Sequence, residues 1–338
     1  MLKSLWPVYL IALLALASCQ PHWDAPDPQI LPPPKPKPTA LPSGGQIAAR
    51  SSMVSARTLE FEVDMFVVDK TSRPIAGLSA ADFAIQSVQF PSGTFFSFSQ
   101  RCAVMGQTPS QGSYSAVLLL DQSGSIASTD PQNLRLEAAK IFFAALGPGD
   151  NALLAAFASG GSLPYELNFW GTFGRSSYSA ELAWLANKVG GGTPLYKATS
   201  AFIYKAAQEA PNVNKAVVVF TDGEDTNGGK TIANIVQEAK SQGVKVFTVG
   251  LGQADTAVLS QMALPTGGSM MFAADARQLI SQFGTLGNLL SGNLTYYRTC
   301  WTAKTDRDAF GSGAWFWSSI QVNTPEGKVS VPFYVAVQ

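Results

Sequence analysis

Histidine is almost missing from this chain of 338 residues: there is one, His22, and it lies in a proline-dense stretch with little to bury. A Ser-His-Asp device needs an imidazole held beside its nucleophile, so the main body of the chain has no means of building one. Charge of one sign is missing too. The 23 Lys and Arg balance 23 Asp and Glu, net charge is zero, and no long basic stripe appears. Nucleic acid is therefore excluded as a partner. The glycine-rich run Gly190-Gly191-Gly192-Thr193 lacks the G-K-[ST] ending of a phosphate loop. A G-x-S-x-G elbow is absent around Ser123, because Asp121 stands where its first glycine belongs. A hydrolase using Ser123, or a phosphate-handling protein, is the rival these absences count against, and the chain is not expected to be an enzyme. Long apolar runs are lacking as well. The N-terminal one, ending near Ala15, is too short to stay in a bilayer as a spanning helix.

What is present begins with Asp121-Gln122-Ser123-Gly124-Ser125, directly after the apolar run Val117-Leu118-Leu119-Leu120. A carboxylate and two hydroxyls emerge together where a buried strand ends. Downstream come Thr193, in Gly192-Thr193-Pro194-Leu195, and Asp222, in Phe220-Thr221-Asp222-Gly223-Glu224-Asp225. All of these are hard oxygen donors, with no His or Cys among them, which suits Mg²⁺, Mn²⁺ or Ca²⁺ rather than zinc or copper. The competing reading of Asp121–Ser125 is a helix cap, since Asp and Ser side chains accept the free N–H groups of a helix start. An EF-hand around Asp222 is rejected, because Asn227 holds the sixth position where that loop needs glycine. Glu224 and Asp225 then read as an exposed rim or as caps for a helix beginning near Gly229.

The D-x-S-x-S pattern, with Thr193 and Asp222 in order, resembles the metal-ion-dependent adhesion site of von Willebrand factor A (vWA) domains. The resemblance implies that Ser123 and Ser125 bind the ion directly, while Thr193, Asp121 and Asp222 bind it directly or through water. It further implies a vacant coordination position for a carboxylate offered by a partner protein. The segment from Phe66 to Phe83, with Gly77-Leu78 and Asp82-Phe83, resembles the start of a bacterial vWA-related family. The opening Met1-Leu2-Lys3, apolar run and Leu16-Ala17-Ser18-Cys19 resemble a bacterial lipoprotein signal. That resemblance implies cleavage after residue 18 and acylation of Cys19, with an ordinary secretory signal as the alternative. Gln20 after the cysteine resembles the sorting rule for the outer membrane. If Cys19 carries lipid, Cys102 and Cys300 remain to pair in an oxidising compartment, with two free thiols as the alternative.

Between residues 115 and 293, short apolar runs alternate with amphipathic ones, the pattern of βαβ units. Strands are expected over 116–120, 152–157, 216–220, 244–249 and 269–272. Helices are expected over 134–146, 180–189, 195–209, 232–242, 255–262 and 276–290, with an edge strand over 163–170. The flanks read as strands: 58–68, 83–90, 95–98, 295–302, 315–322 and 328–337. The expected fold is α/β, a doubly wound, mostly parallel Rossmann-like sheet inserted in a small flanking β-sandwich-like domain. The divisions are a signal (1–18), a Pro-rich linker (19–57), one part of the β domain (58–113), the vWA domain (114–293) and the other part (294–338). The linker reads as a polyproline II spacer, or else as a docking segment for a proline-binding partner. The aromatic run Trp315-Phe316-Trp317 reads as core, with an exposed platform as the alternative. The expected function is a lipid-anchored, non-enzymatic protein that grips an acidic partner through a divalent cation, in adhesion or envelope assembly. The alternative is a structural envelope lipoprotein without metal-dependent binding.

Overall fold

Strands whose middles are unbroken runs such as Ala116–Leu120 and Ala216–Phe220 can be buried only if both faces of the sheet are covered, and this determines the central architecture. The computed structural model describes residues 39–86, 88–89 and 94–338, so the signal, Cys19, His22 and most of the Pro-rich stretch lie outside the described residues. In chain order the strands are β1 Ser43–Ser55, β2 Thr58–Val68, β3 Phe83–Ala84, β4 Val88–Gln89, β5 Phe95–Gln107, β6 Tyr114–Asp121, β7 Asn151–Phe157, β8 Leu167–Gly174, β9 Asn214–Thr221, β10 Val244–Leu251, β11 Met270–Ala273, β12 Thr295–Thr305, β13 Trp315–Thr324 and β14 Gly327–Ala336. The helices are α1 Ile126–Thr129, α2 Leu134–Ala144, α3 Ser179–Leu185, α4 Leu195–Glu209, α5 Ile232–Gln242, α6 Thr256–Ala263 and α7 Gln278–Ser291. Among the described residues, no helix is long and apolar enough to cross a membrane.

Side chains alternate along each central strand, so β6 feeds two cores. Ala116, Leu118 and Leu120 join one cluster with α2, α3 and α7, while Val117 and Leu119 join another with α4, α5 and α6. This is the doubly wound α/β arrangement. Strand β6 pairs in parallel with both β7 and β9, and β9 with β10. The chain order therefore reverses at β6, and the crevice beyond the carboxyl ends of β6 and β9 is where such sheets bind ligands.

The flanks do not form a separate sheet. One eleven-stranded sheet runs β4-β5-β12-β2-β1-β11-β10-β9-β6-β7-β8, and a three-stranded sheet, β14-β13-β3, forms a second layer. Between that layer and β2 and β12 lies a core that includes Phe61, Val63, Met65, Trp301, Ile320 and Phe333. Phe316 joins this core, whereas Trp317 is half exposed and stacks on Tyr334 at 6.2 Å.

Strand β1 corrects the linker boundary, since residues 43–55 fall within the stretch read as linker to 57. It joins the two regions by pairing antiparallel with β2 on one side and β11 on the other. Its sequence carries little apolar signal because the position calls for slenderness. A Cβ on Gly45 would come within 2.8 Å of Met271 Cγ and Phe66 Cε1. Next to it, Gln46 is fully buried and exchanges two hydrogen bonds with the backbone of Tyr334, donating at 2.7 Å and accepting at 2.9 Å.

Strand β5 is longer than the expected 95–98, running on to Gln107 through a stretch with no clean alternation. Pairing with β12 along nearly its whole length holds it. Cys102 thus lies inside a strand, opposite Cys300, and the two form a disulfide with Cα atoms 4.8 Å apart. Other boundaries move modestly: the edge strand starts at Leu167 rather than 163, and α3 ends at Leu185 rather than 189.

Candidate metal centre

Asp121 ends β6 and Asp222 follows Thr221, the last residue of β9, so neighbouring parallel strands deliver both carboxylates to one end of the sheet. The chain then turns sharply after Asp121. Its Oδ1 accepts the backbone N–H of Ser123 at 2.7 Å, and its Oδ2 accepts the Thr221 hydroxyl at 2.6 Å. Ser123 Oγ lies 3.2 Å from Ser125 Oγ, and Ser125 Oγ donates to Asp222 Oδ1 at 2.7 Å. Thr129, one helical turn beyond Ser125, donates to Asp222 Oδ2.

Thr193 arrives from the glycine loop. That loop is stitched to the first by Gly124 N–H donating to Gly191 O at 3.0 Å, and by Gly190 N–H donating to Gln122 O at 2.9 Å. A Cβ built on Gly223 would lie 3.6 Å from both Ser125 Oγ and Thr193 Oγ1, so these two hydroxyls border the same space. The structure thus gathers all five sequence-predicted positions. Asp121, Ser123, Thr193 and Asp222 are buried, and Ser125 is exposed at the mouth.

The helix-cap reading of the serines does not describe this loop. Ser125 precedes α1, yet its side chain makes no cap hydrogen bond and turns to Asp222 instead. Asp225 is the residue that meets a helix start, though not the one expected. Its Oδ1 accepts Tyr196 N–H in the first turn of α4 at 3.0 Å, while α5 is capped by Thr231 with Asn234.

Electrostatically the pair of carboxylates is unbalanced at close range. Burial pushes the Asp121 carboxyl up to about 6, with the nearby charge of Asp222 adding to the rise and hydrogen bonds from Thr221 and Ser123 opposing it. A desolvated carboxylate beside another favours either a proton or a cation. Among the described residues no three His, Cys, Asp or Glu side chains gather into a metal-holding group. A cation here would therefore be held by two carboxylates and the hydroxyls of Ser123, Ser125 and Thr193. That all-oxygen set fits Mg²⁺, Mn²⁺ or Ca²⁺.

Sequence reading missed Thr129, Thr221, Asp130 and Arg135. Thr129 could have been found by its i+4 spacing from Ser125 on a helix, and Thr221 by its place beside Asp222 at a strand end. Asp130 and Arg135 carry no such signal, because nothing in the pattern of α2 marks its second residue as fully buried.

Comparison with known proteins identifies a family for the central region. Residues 116–285 match the von Willebrand factor type A domain family. Calcium-activated chloride channel regulator 1 of Sus scrofa is 24% identical over 213 residues, 62% of this chain, and the match spans only 22% of that protein. Among solved structures, a von Willebrand factor type A protein from Catenulispora acidiphila superposes with a TM-score of 0.45 at 12% identity, covering 89% of this chain and 74% of the other. The pilus adhesin SpaC of Lactobacillus rhamnosus GG gives 0.44 at 14% identity, covering 75% and 48%.

Proposed function

The chain belongs to the von Willebrand factor type A domain family, whose members are usually non-enzymatic adhesion modules, and from that premise we propose a metal-dependent binding protein. In this reading Asp121, Ser123, Ser125, Thr193 and Asp222 hold one divalent cation, Mg²⁺ or else Mn²⁺ or Ca²⁺. The cation supplies Lewis-acid attraction for a carboxylate presented by a partner protein. The observation that carries the reading is the hydroxyl and carboxylate cluster at the switch point of the sheet, where Ser125 bonds to Asp222 instead of capping its helix. Ser125 is the exposed member, so the chain's own groups leave the mouth of the site open to a partner.

The proposal extends to the ends of the chain. Cys19 carries the lipid anchor, the Pro-rich segment is the spacer, and the protein works at the bacterial cell envelope, anchored in the outer membrane. The stretches 58–113, 114–293 and 294–338 are kept as proposed divisions of a chain whose flanking strands continue the central sheet, with the linker ending before Ser43. Partner capture from native envelope tests the function. Recovery should fall with chelator and with Asp121→Ala or Thr193→Ala; equal recovery in all three conditions sinks the reading.

A further inference from the structure

A guanidinium with no exposure to water is costly unless it has a specific task, and Arg135 is the largest fully buried side chain among the described residues. It is the second residue of α2. Its Nη1 donates to Asp130 Oδ2 at 2.9 Å and to Asn133 Oδ1 at 2.8 Å, and its Nη2 donates to Gln122 Oε1 at 2.9 Å. Asp130 in turn accepts the backbone N–H groups of Leu134 and Arg135, at 2.7 and 3.0 Å, which satisfies the start of α2.

Gln122 is the residue between Asp121 and Ser123. Its backbone N–H donates to Phe157 O at 3.0 Å and its carbonyl accepts Gly190 N–H at 2.9 Å, so it also joins β7 to the loop that brings Thr193. Arg135 therefore closes the segment bearing Ser123, Ser125 and Thr129 from behind. Burial pushes its guanidinium below its usual range, while the charges of Asp130, Asp121 and Asp222 pull it back up.

Among the described residues the buried charged side chains are Asp64, Asp121, Asp130, Arg135 and Asp222, and all except Asp64 meet in this corner of the fold. Three carboxylates and one guanidinium leave two negative charges away from water, and one divalent cation cancels them. Resting on the metal reading above, we propose that Arg135 is a specificity-determining residue, whose fixed charge matches the site to divalent rather than trivalent cations and whose fork positions the ligand loop through Gln122.

The two roles separate in a charge series measured with Mn²⁺ and Tb³⁺ alone, each titrated by calorimetry into the full-length protein. The readout is the ratio of Tb³⁺ to Mn²⁺ affinity, relative to that of the unmodified protein. Size preference is common to all variants and cancels in that comparison. Arg135→Met should weaken Mn²⁺ by about tenfold or more through loss of the tie, and should shift the ratio by about tenfold toward Tb³⁺. Asp130→Asn should shift the ratio the other way. Arg135→Lys, which keeps the charge, and Asp130→Asn/Arg135→Met, which restores the net count, should both return it to within about twofold of the original. If Arg135→Met does not fold, the other three variants still decide the matter. A ratio that stays constant across them while Mn²⁺ binds overturns the inference and leaves the metal site standing. Absence of Mn²⁺ and Tb³⁺ binding in the unmodified protein overturns both.

Discussion

Asp64 and Asp121 are both buried aspartates on the same eleven-stranded sheet, and their surroundings are opposite. Asp64 is met by cations from its own chain. Arg298 grips both oxygens, at 2.7 and 3.0 Å, and Arg50 adds a bond at 3.0 Å. Arg298 is held above its usual range chiefly by its hydrogen bonds to that carboxylate. Asp121 is met by a hydroxyl and a backbone N–H, with Asp222 close by. Arg135 bonds to Asp130 and Gln122 and not to either ligand carboxylate. The contrast separates a carboxylate whose charge is already matched from one left open. A matched carboxylate holds strands together; an open one is destabilising until something positive arrives.

The largest way to sharpen the contrast is covalent. Cys102 and Cys300 are separated by 198 residues and lie across β5 and β12, on the Asp64 side of the molecule. Closing that loop contributes about 5 kcal/mol in the chain-entropy model. Cys102→Ser/Cys300→Ser should lose stability on that scale in chemical denaturation and, while folded, keep its cation affinity.

Next in size are two substitutions of opposite sign. Asp121→Asn should stabilise the cation-free protein at pH 7 by about 2 kcal/mol, because it removes a desolvated charge whose carboxyl titrates near 6. Asp64→Ala should destabilise it by about 2 kcal/mol, because it strands two arginines. Denaturant midpoints for the two variants check both, and a shared sign breaks the comparison.

The last effect is on pH and draws on the same buried carboxylate. Burial raises the folded Asp121 carboxyl to about 6, above the ordinary aspartate value of 3.8, so the native state binds more protons between the two. Cation-free stability should therefore be higher at low pH and fall as pH rises from about 4 to about 6, by up to about 1.4 kcal/mol per unit. Cation affinity should run the other way, rising with pH through about 6 as the proton leaves. Asp121→Asn should flatten both trends.

The α/β half was legible because its physics is local. Runs such as Val117–Leu120 can only be buried strands, and Asp121 and Asp222 follow such runs directly. The five candidate ligands came from the resemblance of D-x-S-x-S, Thr193 and Asp222 to the adhesion site of the vWA family, and the strand-end positions of Asp121 and Asp222 supported it. What sequence could not show was long-range. Strand β1 is fixed by close approach at Gly45 and by the buried Gln46, which leave no hydrophobic pattern. The second half of β5 is held by its partner strand, with most of its own side chains exposed or only half buried. Arg135 looks like any helix arginine until its neighbours are placed.

Whether the open carboxylates await a cation is decided by counting bound Mn²⁺ by electron paramagnetic resonance in the unmodified protein, Asp222→Ala and Asp64→Ala. One ion per chain is expected in the unmodified protein and in Asp64→Ala, with affinity lower by about a hundredfold or more in Asp222→Ala. No bound ion in the unmodified protein, or equal binding in Asp222→Ala, contradicts it.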